Sequence, residues 1–356
     1  MSEQPHRLME IKNLKKSFPL QTGFLGTGGT ETVIAVDDVS FYIESGETLG
    51  LVGESGSGKT TIGRSILRAI EPTSGSVHFE PREGEAYEVT RLSNREMKAV
   101  RPHMQMIFQD PYSSLNPRMT VRDIIAEPLV VNKLLKGTDI DKRVLEVALR
   151  CKLNVEHLRR FPHAFSGGQR QRIGIARALV MHPRFIVCDE AVSALDVSVQ
   201  AEILNLLGDL QEEFELTYLF IAHDLSAVEY ISDRVAVLYL GRIVEIAPSK
   251  ELFFSPLHPY TSALMSAIPA PDPDSPMQPI ILKGEIPSPI NPPSGCHFHP
   301  RCQFVQTECK TMRPELKEYK PGHYSACHFS DVMELPGASE LGESSSIRTS
   351  KIRSSN

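Results

Sequence analysis

The chain has 356 residues, of which 41% are hydrophobic and 23% charged, with a formal net charge of −6. That length suits one large domain with a smaller appendage, and the composition excludes wholesale disorder. The acidic balance offers nothing to nucleic acid, and no run approaches the roughly 18 consecutive apolar residues that span a bilayer.

Met1 to Arg7 is polar and lacks the apolar core of a signal peptide. The expectation is a cytosolic chain that reaches a membrane only through a partner. Three zones follow. Residues 1–250 alternate strand-like and helix-like patterns, an α/β architecture. Residues 251–330 are rich in Pro and His and carry four clustered cysteines. Residues 331–356 run through Gly342 and Ser344–Ser346 to a polar end, expected to be disordered because it buries too little apolar surface to offset chain entropy.

Thr48–Val52 reads as a buried parallel strand, and Gly53-Glu-Ser-Gly-Ser-Gly58-Lys59-Thr60 follows it. This is the P-loop pattern. Glycines let successive backbone N–H groups curl round one anion, and the helix expected from about Thr60 to Ala69 turns its positive end to the same point. Lys59 is expected to reach the terminal phosphates and Thr60 to place a hydroxyl on Mg²⁺. Gly53, Ser55, Gly56, Ser57, Gly58, Lys59, Thr60 and Thr61 are the candidate phosphate-binding residues. A glycine turn that binds nothing is the plainer alternative, and the flanking strand and helix argue against it.

Phe165-Ser166-Gly167-Gly168-Gln169 precedes a helix expected from near Arg170 to Val180. Ser166 there reads either as an ordinary N-cap or as part of a second anion site. One subunit has no need of two sites for one γ-phosphate, so the second reading implies a dimer in which this loop covers a partner's nucleotide. Phe185–Cys188 is an apolar strand ending in Asp189 and Glu190, the Walker B pattern. Asp189 suits Mg²⁺, and Glu190 suits orienting the attacking water. Tyr218–Ala222 is a third buried strand and ends at His223, placed to hold a γ-phosphate.

Of six cysteines, Cys151 and Cys188 read as buried residues. Cys296, Cys302, Cys309 and Cys327 are separated by five, six and seventeen residues. In a cytosolic chain such a group reads as reduced thiols or metal ligands rather than disulfides. The spacing matches neither the paired zinc pattern nor the short ferredoxin one, so Zn²⁺ and an iron–sulfur cluster both stay open. His297, His299, His323 and His328 lie near enough to replace a thiolate.

The ordered set of motifs resembles an ABC-transporter nucleotide-binding subunit over residues from about 8 to 330. The resemblance implies an ABC-type P-loop NTPase fold with a helical signature subdomain and a small Cys-rich C-terminal extension. It makes Gln109, in Met106-Ile-Phe-Gln109, the glutamine-loop residue that senses Mg²⁺ and the attacking water. Ser166–Gln169 becomes the signature, with Phe165 where leucine is usual. Asp189 and Glu190 become the magnesium and catalytic acids, Ser193–Asp196 the dimer-contacting loop, and His223 the switch histidine. Phe18 is the candidate for stacking on adenine.

Asp110–Pro117 and His258–Leu264 resemble the oligopeptide/dipeptide importer subclass. Pro19 to Thr32 looks like the enlarged loop of the second ATPase subunit of such importers. The resemblance implies ATP and Mg²⁺ as ligands and two membrane permease subunits as partners. A second ATP-binding subunit (in a heterodimer or a homodimer), an extracytoplasmic solute-binding protein and a place at the cytoplasmic face of the membrane also follow from it. Related subunits associate their four cysteines with a [4Fe–4S] cluster, and the same class includes nickel and sugar importers. A chromosome- or repair-type ATPase would insert long coiled coils where only about 108 residues separate Gly58 from Ser166 without sustained heptads. A ribosome-associated factor would carry two cassettes, and a nucleotide kinase would have no use for Ser166–Gln169. A zinc-based nucleic-acid module would need a basic, aromatic patch that is absent.

Overall fold

The computed structural model describes residues 6–21, 30–268 and 279–338. The strands in chain order are β1 (Arg7–Gln21), β2 (Thr30–Glu44), β3 (Thr48–Val52), β4 (Ser74–Arg82), β5 (Glu85–Glu88), β6 (Met104–Ile107), β7 (Phe185–Asp189), β8 (Thr217–Ile221), β9 (Arg234–Tyr239), β10 (Arg242–Pro248), β11 (Lys317–Lys320) and β12 (His323–Ser325). The helices are α1 (Lys59–Ile66), α2 (Asn94–Val100), α3 (Val121–Val131), α4 (Thr138–Arg150), α5 (Gly167–Leu179), α6 (Val197–Phe214), α7 (Leu225–Ile231), α8 (Ser249–Phe254), α9 (Pro259–Ser266) and α10 (Thr307–Thr311).

Two sheets organise these elements. A four-stranded antiparallel sheet runs β2-β1-β4-β5, and an eight-stranded mixed sheet runs β11-β12-β10-β9-β3-β8-β7-β6. The strands from β9 to β6 are parallel. Every residue of β3, β7 and β8 is buried, as expected where helices cover both faces of a parallel sheet. Because these strands run the same way, Gly53, Asp189 and His223 all follow onto one edge of the sheet, where α/β folds bind ligands.

The three strands read from sequence are present within one residue. The helix after the P-loop is shorter than expected, because Arg68 takes a left-handed backbone conformation (φ 50°) that ends it. α5 starts at Gly167, earlier than expected, since Ser166 caps it. Helices α3 and α4 lie between β6 and α5 and pack on each other and on α5, forming the helical subdomain. α4 buries Ile140, Val144, Val147 and Ala148, the i, i+4, i+7, i+8 spacing of a helix with one apolar face.

Two expectations change in form. Pro19 and Leu20 pair with Thr32 and Glu31, so the ends of the stretch read as a loop are arms of a hairpin; residues 22–29 lie outside the described residues. The C-terminal region shares the sheet and the core of the chain before it. β12 pairs with β10, and Phe298 belongs to the same buried cluster as β7, β8 and β9 residues. Ala338 N–H donates to Phe253 O at 2.7 Å, so the first residues of the expected tail pack on α8; residues 339–356 lie outside the described ones. Among the described residues no helix is long and apolar enough to cross a membrane.

Candidate functional site

The P-loop is wedged against its surroundings. Gly53 (φ 149°) and Gly58 (φ 108°) occupy backbone that side chains rarely adopt, and a Cβ on them would sit 2.1 Å from Leu238 O and 2.2 Å from Ala35 O. Gly241 N–H donates to Ser57 O at 2.8 Å. Glycine is therefore required both for φ and for close approach. Lys59 lies inside the loop, with Nζ donating to Gly53 O (2.6 Å) and Glu54 O (3.1 Å). Burial pushes its ammonium pKa down, opposed by Glu190, Asp189 and Glu54. Ser57 Oγ is buried with no partner, an orphan donor of the kind a phosphate oxygen would satisfy.

At the end of β7, Thr60 Oγ1 donates to Asp189 Oδ1 at 2.7 Å, so hydroxyl and acid adjoin as Mg²⁺ coordination requires. Arg64 approaches Asp189 from α1 at 3.6 Å. Glu190 has a left-handed backbone (φ 49°), a conformation that costs about 1–2 kcal/mol for a residue with a Cβ. Glu190 N–H donating to Ile221 O (2.9 Å) and Ser193 Oγ donating to Glu190 O (3.0 Å) hold it there. The turn brings its carboxylate to two residues far away in sequence. Gln109 Nε2 donates to Glu190 Oε2 at 2.5 Å, and His223 Nδ1 lies 3.6 Å from the same oxygen. Gln109, Asp189, Glu190, His223, Lys59 and Thr60 therefore form one constellation.

Ser166–Gln169 is a different local structure. Ser166 Oγ accepts from Gln169 N, and Gln169 Oε1 accepts from Ser166 N, a capping box that satisfies two helix-end donors. The plain N-cap reading of Ser166 is thus correct as local structure. The N–H groups of Gly167 and Gly168, in the first turn of α5, are among those a helix leaves without intrahelical acceptors. Ser166 and Gln169 are exposed, and Gly168 packs so tightly that a Cβ would lie 2.4 Å from Val199. Phe165 is buried in the core. Asp196 caps α6 by position without a side-chain bond to it, and its side chain is exposed. Phe18, on β1, is half-buried with Lys16 Nζ 4.8 Å from its ring centroid.

The loop after β6 is tied to α5. The Arg170 guanidinium lies 3.9 Å from the Tyr112 ring centroid, Arg177 lies 5.6 Å from that of Phe108, and Arg177 Nη1 donates to Ser114 O at 2.5 Å. No motif marks these pairs; cation–π contacts depend on where two rings and two cations meet in space.

Cys296, Cys302, Cys309 and Cys327 line one small cavity with His258, His299 and Phe298. Burial pushes the thiols of Cys296, Cys302 and Cys327 up to about 11. Among the described residues no three His, Cys, Asp or Glu side chains are placed to hold a single metal ion. Three of the candidate histidines have hydrogen-bond partners: His323 Nε2 with Glu245 (2.7 Å), His328 Nε2 with Met312 O (3.0 Å) and His299 Nδ1 with Cys296 O (2.9 Å). The cysteine region also reaches the P-loop, because Arg301 pairs with Glu54 and Tyr260 Oη accepts from Glu54 N–H. Nothing in sequence signals that pair across 247 positions.

Comparison with known proteins matches residues 36–193 to the ABC transporter family and residues 244–309 to the oligopeptide/dipeptide transporter C-terminal region. A Brucella ovis protein named as a peptide import ATP-binding protein is 52% identical over 327 residues, 92% of this chain and 98% of that one. The oligopeptide transport ATP-binding protein AppF of Bacillus subtilis is 49% identical over 324 residues, 90% and 97% of the two chains. Among solved structures, a dimeric post-hydrolysis state of the ATP-binding cassette MJ0796 bound to ADP and Pi aligns with TM-score 0.58 at 28% identity, covering 68% of this chain and 98% of that one. CbiO1 of Clostridium perfringens, part of the ABC transporter complex CbiONQ, aligns with TM-score 0.59 at 26% identity, covering 70% and 91%. With Gly53–Thr60, Asp189, Glu190 and His223 on one sheet edge and this C-terminal region in the same chain, the chain belongs to the ATP-binding subunits of ABC transporters of the oligopeptide/dipeptide class.

Proposed function

We propose that this chain is an ATPase subunit of a peptide importer, held at the cytoplasmic face of the cell membrane by two permease subunits. The observation that carries the reading is the match of residues 36–193 to the ABC transporter family and of residues 244–309, in the same chain, to the oligopeptide/dipeptide transporter C-terminal region. A second ATP-binding subunit, of the same or a different sequence, completes each site through Ser166–Gln169 and Asp196. An extracytoplasmic solute-binding protein delivers the peptide. Phe108, Tyr112, Val130, Val131 and Leu134 are exposed apolar residues in the glutamine loop, at the end of α3 and just after it, and they suit docking to a permease.

In the mechanism, the P-loop backbone, Ser57 and Lys59 hold the β- and γ-phosphates, with Phe18 against the adenine. Thr60 and Asp189 are the residues that would hold Mg²⁺, which neutralises phosphate charge when bound, with Gln109 beside them. Glu190 accepts the proton of the attacking water as its oxygen bonds to the γ-phosphorus. The bond from that phosphorus to the bridging oxygen breaks, and ADP and phosphate result. His223 donates to the γ-phosphate, and Gln109 keeps the water and Glu190 aligned. Because Phe108 and Tyr112 are fastened to α5, closure of the signature on a partner's nucleotide moves the glutamine loop with it.

The four-cysteine cavity is proposed to hold a [4Fe–4S] cluster. Four cysteines lining one small cavity offer the thiolate ligands that such a cluster takes. Burial holds the thiols of Cys296, Cys302 and Cys327 in the protonated form, and a bound metal centre would supply the positive charge that ionises them.

The test is anaerobic purification from host membranes with the native partners. Two permease chains, a second ATPase and a solute-binding protein should co-purify, with iron and acid-labile sulfide in the preparation. Ribosomes or DNA in place of membrane chains would overturn the transport reading. Zinc in a colourless protein would overturn the cluster.

A further inference from the structure

The P-loop carries an acid, Glu54, at a point where its charge opposes the anion the loop exists to bind. Its carboxylate bears on Lys59 electrostatically, so a free Glu54 would both draw on that ammonium and repel the phosphates. In this chain it is not free. Arg301 Nη1 donates to Glu54 Oε2 at 2.7 Å and Nη2 to Oε1 at 3.1 Å. This fork-to-fork pairing is the strongest geometry open to a carboxylate. The Arg301 side chain is 8% exposed and that of Glu54 26%, so bulk water screens the pair poorly.

The pair is set on a rigid base. Phe298 meets Tyr239 and Tyr260 at ring-centroid distances of 5.2 and 5.4 Å, and Tyr239 meets Tyr260 at 4.7 Å. Arg301 N–H donates to Phe298 O at 3.0 Å. Glu54 N–H is taken by Tyr260 Oη at 3.0 Å, so both the backbone and the side chain of this loop residue are held by the C-terminal region.

We propose that Arg301 is a positioning residue of the nucleotide site: it neutralises and turns aside Glu54, so that Lys59 and the loop N–H groups are left to the phosphates. ATP affinity is thereby tied to the segment from Cys296 to Cys302, because the residue next to Cys302 carries the clamp. The proposal rests on the reading of Gly53–Thr60 as the ATP site.

The test measures ATP affinity with a fluorescent nucleotide in the full chain, with thermal melting beside it. Arg301→Met should weaken binding five- to tenfold. Adding Glu54→Gln should restore most of that loss, since no acid then remains to be neutralised. A residue that only packs the C-terminal region would show no such rescue. Arg301→Met within twofold of the native chain, or a double variant as weak as the single one, overturns the proposal. Should Arg301→Met not fold, Glu54→Gln alone carries the test: its binding should be no weaker than native, and a fivefold weaker one overturns the proposal. A native chain that binds no ATP at all would instead sink the P-loop reading, whatever Arg301 does.

Discussion

Replacing Glu190 by Gln removes a proton acceptor and almost nothing else. The amide is the same size, and its oxygen can still accept from Gln109 Nε2, now 2.5 Å from Glu190 Oε2. The left-handed backbone at φ 49° is held by main-chain bonds to Ile221 and Ser193 that the substitution leaves alone. The P-loop and Asp189 keep their contacts, so ATP binding and ATP-driven closure should persist. What disappears is base assistance to the attacking water, worth about 10²–10⁴ in rate. That corresponds to roughly 3–5 kcal/mol on the barrier. The assay is single-turnover hydrolysis with saturating ATP and Mg²⁺, combined with gel filtration to detect the nucleotide-closed dimer. Hydrolysis should fall at least a hundredfold while the dimer accumulates. Turnover within threefold of native would refute the role given to Glu190. Loss of binding together with turnover would mean that the carboxylate supports the site's architecture instead.

Other substitutions separate the parts. Gly53→Ala places a methyl 2.1 Å from Leu238 O and should abolish nucleotide binding by more than tenfold, measured by nucleotide titration. Ser166→Arg puts a long cation on the exposed signature loop and should block ATP-driven dimerisation while each subunit still binds ATP, a split that light scattering and titration resolve. Glu245 is fully buried and accepts from Leu257 N (2.6 Å), His258 N (3.0 Å) and His323 Nε2 (2.7 Å). Glu245→Ala should cost about 3–5 kcal/mol, because it strands buried partners, and denaturant melts would show it. Cys309→Ser should lower the iron content of anaerobically purified protein and leave the P-loop contacts untouched, as elemental analysis and nucleotide titration would show.

What the sequence by itself determined is local. A five-residue apolar run, a glycine loop and a periodic helix declare a phosphate cradle because each depends only on neighbours in the chain. The same holds for Asp189 and Glu190 at a strand end and for Ser166 before a helix, so the P-loop fold and the candidate nucleotide site were legible. Whether Ser166 also acts across a dimer was not, because a capping serine looks the same in both cases.

The tertiary structure alone decided which distant side chains meet. Parallel β6, β7 and β8 bring Gln109 and His223 to one oxygen of Glu190. The pairing of β12 with β10 merges the C-terminal region with the main sheet and seats His323 on Glu245. Arg301, 247 positions from Glu54, comes to lie against it. No periodicity or spacing encodes such pairs, because their energy arises only when a buried charge finds its partner after the chain has packed.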